Sequence, residues 1–496
     1  MMSYLEILRL AAPEGILVLA ALAVLGVDVG VTRTEPRASR LFITNALALF
    51  GCVVAFIWML PGGLPGTVGG LFTVTPLTQL VKQALVVLSI LTLLLSVETS
   101  FSEHLGEYVA LVLLATVGMM LVVSAEDTLM IFVALELTSL SLYTLTAFNK
   151  ADPQSAEAAL KYFLFGSVAA AFALFGLSLL YGATGATALP AIAAKLKGHA
   201  LTPMVAVALV MIVIGFGFKV AAVPFHLWAP DAYQGAPVPV AALIASGSKV
   251  AGFFILAKVM MLGFAGLEGS GSWGKYAPGW IPLLAVLAVA SMLLGNLAAL
   301  AQTNVKRLLA YSAIAHGGYV LLGVMANTPQ GVAAVVYYAM TYGLTVIGAF
   351  GVVAVVEART GNCRIADFAG LGKRSPLLAG ALLIFLLSLA GIPPLAGFFG
   401  KFYVFAAAAN SAKELGLLWT VVVALAMSTV SLYYYLKVLK QVYVISAPDG
   451  ADTIPMSLLT RLVLVLMAVG VVLLGALPDL ILGRLVPALL GVVAGH

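Results

Sequence analysis

Lys161, Lys219, Lys249, Lys258, Lys401 and Glu136 stand inside long apolar runs of a 496-residue chain in which only 9% of residues are charged. On insertion scales an ionisable side chain at the centre of a membrane helix costs about 2.5–3.5 kcal/mol, so these groups must face a protein interior or water. Burial disfavours the charged form of an amine, which brings the neutral form within reach and lets a buried lysine take up and release a proton. A row of such residues reads first as an ion or proton path.

Glu136 lies in VALELTSLSLY, near mid-span, with Thr138, Ser139 and Ser141 close by. It either pairs with Lys219 from another span, through a Coulomb interaction that changes as either member gains or loses a proton, or stays protonated and donates a hydrogen bond between helices. Lys219 comes just before Pro224, and Lys249 ends ASGSK (245–249), whose small residues leave room for water. For both, snorkelling toward a headgroup is the competing account. Lys258 falls nine residues after Lys249 and so about 180° round the same helix, where relay and snorkelling are equally open. Lys82, near the start of its span, reads as a snorkelling residue. Lys161, near the cytoplasmic start of its span, admits both readings.

Lys401 follows GIPPLAGFFG. Two prolines cannot continue the hydrogen-bond ladder, so the helix breaks at depth, which membranes allow only where backbone is buried or lines a wet cavity. His226 and His316 are either proton relays or packing residues. The five histidines, at 104, 199, 226, 316 and 496, have no spacing suited to bis-His haem ligation or zinc.

The elements that carry these groups follow from hydropathy. With 62% hydrophobic residues and a mean hydropathy of +1.13, the chain reads as a polytopic α-helical membrane protein. The apolar runs predict spans at 12–31, 41–60, 77–97, 107–124, 127–148, 158–181, 203–223, 236–262, 280–300, 306–325, 331–356, 377–408, 415–440 and 458–477. They are continuously apolar and too long for barrel strands. The first lacks a basic n-region and a cleavage site and reads as a retained helix. Cys52, in a span, and Cys363, in a loop, are too far apart in depth for a disulfide, and they supply no thiolate cluster.

With the N-terminus outside, inner loops hold thirteen Lys/Arg and outer segments six, among them Lys413, which predicts both termini on the outer, periplasmic side. The net charge of +5 and pI near 9.0 then reflect topology and buried lysines and do not point to nucleic acid. The longest polar stretches, 357–376 and 446–457, are loop-sized, so redox or nucleotide chemistry must come from other chains. GFGFKVAAVPFH (215–226) and AGIPPLAGFFGK (390–401) each set a lysine beside a proline break. Paired interruptions of this kind mark an inverted-repeat transporter with its site near the midplane.

AALKYFLFGSVAAAFALFGLSLLYGATG (158–185), FKVAAVPFHLWAPDAYQGAPVPV (218–240), GNLAALAQTNVKRLLAYSAIAHGGY (295–319) and LSLAGIPPLAGFFGKFYVF (387–405) closely resemble the subunit N (NuoN) family of bacterial NADH:quinone oxidoreductase, respiratory complex I. The likeness runs through nearly the whole chain. It separates the sequence from the paralogous subunits L and M and from Mrp-type sodium/proton antiporter subunits, which share the fold.

The resemblance implies an all-α polytopic membrane protein of about fourteen transmembrane helices, in two inverted five-helix repeats with broken helices 7 and 12. It divides the chain into an N-terminal segment 1–100, a first repeat 101–265, a second repeat 266–445 and a C-terminal helix and tail 446–496. The proton route it implies runs over Glu136, Lys161, Lys219, Lys249 and Lys401, with His226 and His316 as relays; Lys258 is not transferred. Its partners are the other complex I membrane subunits, a neighbouring antiporter-like subunit and small helical subunits, together with membrane lipids. FMN, iron–sulfur clusters and quinone belong to other subunits, with no cofactor or metal in this chain. The location is the bacterial inner membrane. A stand-alone or Mrp-type cation/proton antiporter and a purely structural scaffold are the rival readings.

Overall fold

The computed structural model describes residues 4–60, 66–68, 70–198, 201–411, 416–447 and 452–494. Lys413, His199 and His496 lie outside the described residues. The helices are α1 Tyr4–Leu10, α2 Ala12–Gly30, α3 Arg37–Met59, α4 Pro76–Leu95, α5 Leu105–Ser124, α6 Thr128–Thr146, α7 Pro153–Thr184, α8 Leu189–Leu196, α9 Pro203–Val220, α10 Trp228–Gly235, α11 Val238–Ala245, α12 Gly247–Lys258, α13 Trp280–Leu300, α14 Val305–Met325, α15 Pro329–Thr360, α16 Leu371–Arg374, α17 Pro376–Ala390, α18 Ala396–Asn410, α19 Leu418–Tyr443, α20 Leu458–Ala476 and α21 Asp479–Ala494. Two small antiparallel hairpins, β1 Gly66–Val68 with β2 Phe72–Val74 and β3 Ser270–Gly271 with β4 Tyr276–Ala277, sit between spans.

Among the described residues, thirteen helical segments are long and apolar enough to cross a membrane. The fourteenth crossing is the pair α17 and α18, which the chain interrupts at 391–395. Starts are set by local chemistry: Asp127, Asp152, Thr202 and Thr328 each accept a hydrogen bond from a backbone N–H in the first turn, and proline opens α7, α9 and α15. These devices satisfy donors that have no partner inside the helix.

The spans α5, α6, α7, α9 with α10, and α11 with α12 form one run of five; α13, α14, α15, α17 with α18, and α19 form the next. The fourth member of each run is broken. Five is odd, so the second run begins on the opposite side of the membrane and is inverted relative to the first. Almost every residue of α12, α14 and α15 is buried, whereas α7 is mostly exposed. The central helices therefore carry the interior site, and α7 presents a surface for lipid or a neighbouring subunit.

Two expectations change. Span 7 ends at Val220, three residues short of 223, and after the turn at 221–227 the chain forms the short helix α10, whose sequence WAPDAYQG reads as loop. Lys82 does not snorkel. Its Nζ lies 2.6 Å from Glu14 Oε1, with both side chains at 5% exposure or less. Glu14 of α2 supplies the counter-charge that makes burial tolerable, and the apolar sequence around Lys82 gives no hint of it.

Candidate functional site

The break after α9 is where the interior charges gather. Ala221 ends α9 in the left-handed region at φ 55°, and the chain turns through Val223–Pro224, a cis peptide bond. One residue before the end of α9, the partly buried Lys219 donates to the hydroxyl of Ser139 on α6, which in turn donates to the Leu135 carbonyl. Lys219 and Glu136 border a common cavity of about 20 Å³, room for about one water. Among the described residues the Lys219 amine is bonded to Ser139, with no direct ion pair to Glu136. Ser139, one turn beyond Glu136, takes the amine, and Glu136 lines the same cavity.

Val220, the last residue of α9, exposes a carbonyl that the helix cannot use. The buried Lys249 of α12 donates to it at 2.8 Å and to the Ala313 carbonyl of α14 at 3.3 Å. One turn along α14, the buried His316 bonds through Nδ1 to Tyr338 Oη at 2.7 Å and through Nε2 to Tyr435 Oη at 3.2 Å. Tyr435 is also bonded to Ser312. The Tyr319 ring packs edge-on to His316 at 5.6 Å and lies 5.2 Å from Lys401 Nζ. Lys401, on α18, donates to the Ala390 carbonyl at 2.9 Å and to Ser428 Oγ at 2.8 Å. The polar groups thus run laterally through the bundle from α6 to α18, across both breaks.

Lys161 is outside this row. Its side chain is 40% exposed and is held by Glu157 at 2.7 Å and Asp231 at 2.9 Å; Asp231 also accepts from Arg307 at 2.6 Å. Asp231 lies on α10, which explains the difference: the continued helix brings a carboxylate to Lys161 at the edge of the bundle. His226 is buried in the turn between α9 and α10 with Nδ1 unpaired, and none of its described hydrogen bonds reaches the row.

Sequence reasoning missed the groups that connect the charges. The Val220 and Ala390 carbonyls become available only because helices end there, and Tyr338, Tyr435 and Ser428 look like packing residues in the sequence. It also missed a polar cavity of about 390 Å³ at the face opposite the chain termini, lined by Glu98, Asp152, Lys306 and Glu357. Lys306 there is bonded to Glu357 at 2.8 Å. Nearby, burial pushes the free Cys363 thiol up, so it is an unreactive packing group. Among the described residues no group of three or more His, Cys, Asp or Glu is arranged to hold a metal ion.

Buried amines bonded at the ends of two broken helices suit the handling of ions. Residues 125–428 match the family described as NADH:quinone oxidoreductase/Mrp antiporter, TM. The NADH-quinone oxidoreductase subunit N 2 of Acidobacterium capsulatum is 49% identical, over 97% of this chain and 98% of the relative. The chain belongs to the NADH-quinone oxidoreductase subunit N family. A second subunit N, from Desulfovibrio desulfuricans, is 42% identical over 89% of this chain and 88% of its own. Among solved structures, a chain of respiratory complex I from Thermus thermophilus with bound aureothin superposes with a TM-score of 0.79 at 36% identity, over 95% of this chain and 99% of that one. For a subunit N family member, the match across both five-helix runs makes the fold a shared property of the whole chain.

Proposed function

We propose that the chain is a proton-translocating membrane subunit of NADH:quinone oxidoreductase, in which Glu136, Lys219, Lys249, His316 and Lys401 carry protons along the lateral file. The observation that supports the reading best is the placing of the buried amines: Lys249 and Lys401 are bonded to the carbonyls of Val220 and Ala390 at the ends of two interrupted helices, and the His316 and Tyr319 rings, in edge-on contact, lie between them. Lys161 and His226 belong to the proposal only as peripheral groups. FMN, iron–sulfur clusters and quinone reside in other subunits, and the adjoining membrane subunits are the partners. Both termini face the periplasm, and segments 101–265 and 266–445 act as the two repeats.

Free energy released at the quinone site reaches this subunit as a change in charge at its end of the file. A proton shifted near Glu136 alters the field on Lys219, then on Lys249, and so on to Lys401. Moving one charge against 100 mV takes about 2.3 kcal/mol, within what rearranging a buried charged contact supplies. The test is proton pumping per NADH in membranes carrying Lys219→Ala, with assembly of the complex verified. A fall is expected; parental pumping in a fully assembled variant would remove Lys219 from the route.

A further inference from the structure

Four ionisable side chains that the lateral file does not use lie together at the face carrying the chain termini. Lys258, the last residue of α12, places Nζ 3.1 Å from Glu126 Oε1 and donates to the Val123 carbonyl at 3.4 Å. Glu126 Oε2 accepts from the Thr73 hydroxyl at 2.7 Å. The buried Lys82–Glu14 pair, 2.6 Å apart, lies at the same face. Thr73, Glu126 and Lys258 form the polar corner of a cavity of about 170 Å³ whose other walls, among them Phe254, Met261 and Pro329, are apolar, so water has partners only at that corner. Ser124, next to Val123, has a buried hydroxyl without a partner.

A buried ion pair is weak grounds for stability, because desolvation offsets most of its attraction. Two such pairs at one face call for another reason to exist. Lys258 is on the same helix as Lys249, about 13.5 Å further along it, and α12 passes at Val259–Gly263 into a π-helical turn, a feature frequent at functional sites. Within the pair, Glu126 is 16% exposed and Lys258 8%. The carboxylate is the more exposed member of the pair.

We propose that Lys258 and Glu126 form a proton-release port of the first five-helix run, discharging into water on the face that carries the termini. This rests on the proton-pump reading above. The Lys258 ammonium passes a proton across the 3.1 Å contact to the Glu126 carboxylate, leaving a neutral amine and a carboxylic acid. The acid releases that proton to water in the cavity and returns to carboxylate. The amine takes a replacement from the interior side, so one proton enters, one leaves and the pair recovers its charges. The Lys82–Glu14 pair stays fixed.

The test uses the intact complex in membranes, comparing protons moved per NADH in the parent, Lys219→Ala, Lys258→Met, Glu126→Gln and the double Lys258→Met/Glu126→Gln variant. A port predicts that all three pair variants lose pumping to the extent Lys219→Ala does, including the double variant, which leaves no unpaired buried charge. A merely structural pair predicts that the double variant recovers what either single loses; parental pumping in the assembled double variant overturns the proposal. Parental pumping in Lys219→Ala would instead overturn the pump reading. Should the charge-removing variants fail to assemble, Thr73→Val decides, since it keeps both charges and removes one hydrogen bond to Glu126: a fall of about two- to tenfold in pumping rate supports the port, and an unchanged rate overturns it.

Discussion

Lys249 Nζ lies 2.8 Å from the carbonyl oxygen of Val220, the last residue of α9, and Lys401 Nζ lies 2.9 Å from that of Ala390, the last residue of α17. Each amine occupies the negative end of an interrupted helix, where unused carbonyls and the helix dipole favour a cation. The two halves reach this arrangement differently. In the first half the lysine comes from the following span; in the second it comes from the far side of the same break. Protonation of either amine is therefore tied to the geometry of a helix end, which gives the charge a mechanical partner.

Lys401→Arg separates charge from proton transfer. Arginine keeps a cation and several donors for Ala390 and Ser428 but stays protonated in proteins. If Lys401 only capped the break, the variant would pump normally. As a relay position it should assemble and pump close to nothing, measured as protons per NADH in membrane vesicles.

Gly391→Ala tests the break itself. Gly391 sits at φ 89°, and an added Cβ would fall 3.0 Å from Lys401 Cδ and 3.3 Å from its Nζ. A non-glycine residue in the left-handed region costs about 1–2 kcal/mol, and the methyl also pushes the amine off the Ala390 carbonyl. Lower thermal stability of the complex and slower pumping are expected together. Ala221→Gly, at the matching end of α9, should leave stability equal or higher, because it relieves the same conformation; a loss there would show that the turn needs its methyl.

The crossings and both breaks were legible because hydrophobic length and Pro-Pro or Val-Pro interruptions act locally along the chain. The charges themselves were legible too, since a lysine in an apolar run has few explanations. What the sequence hid was pairing. Lys82 reads as a snorkelling residue because Glu14, its partner, is on another helix, and Lys161 stays open between relay and snorkelling because Asp231, which holds it, lies on α10, which reads as loop. Glu136 and Lys219, which read as a pair, border one cavity, yet the hydroxyl that takes the amine belongs to Ser139, one turn along α6.

Ser139→Ala follows from that last point. It removes the acceptor of the Lys219 amine while leaving Glu136 in place. A hydrogen bond to a charged group contributes about 1.5–3 kcal/mol, so a fall of about tenfold or more in pumping rate is expected, with electron transfer falling in step if the two are tightly coupled. Ser139→Thr keeps the hydroxyl and should recover most of the rate. Equal rates in the alanine and parental forms would mean that Glu136 accepts the amine directly once Ser139 is gone.

Asp231→Asn and Lys161→Ala probe the edge cluster. Lys161 is bonded to both Glu157 and Asp231, and Asp231 to Arg307, but these side chains are between 26% and 65% exposed. Exposed ion pairs contribute about 0–1 kcal/mol each, and Lys161 keeps Glu157 when Asp231 is neutralised. Both variants should assemble and retain most of their pumping, with any deficit shrinking as salt is raised in the parent too, since salt screens the same contacts. Lys249→Ala, buried and bonded to two carbonyls, should by contrast lose pumping regardless of salt. A Lys161→Ala loss as deep as that of Lys249→Ala would place the edge cluster on the proton route itself, and the file would then have to begin at α7.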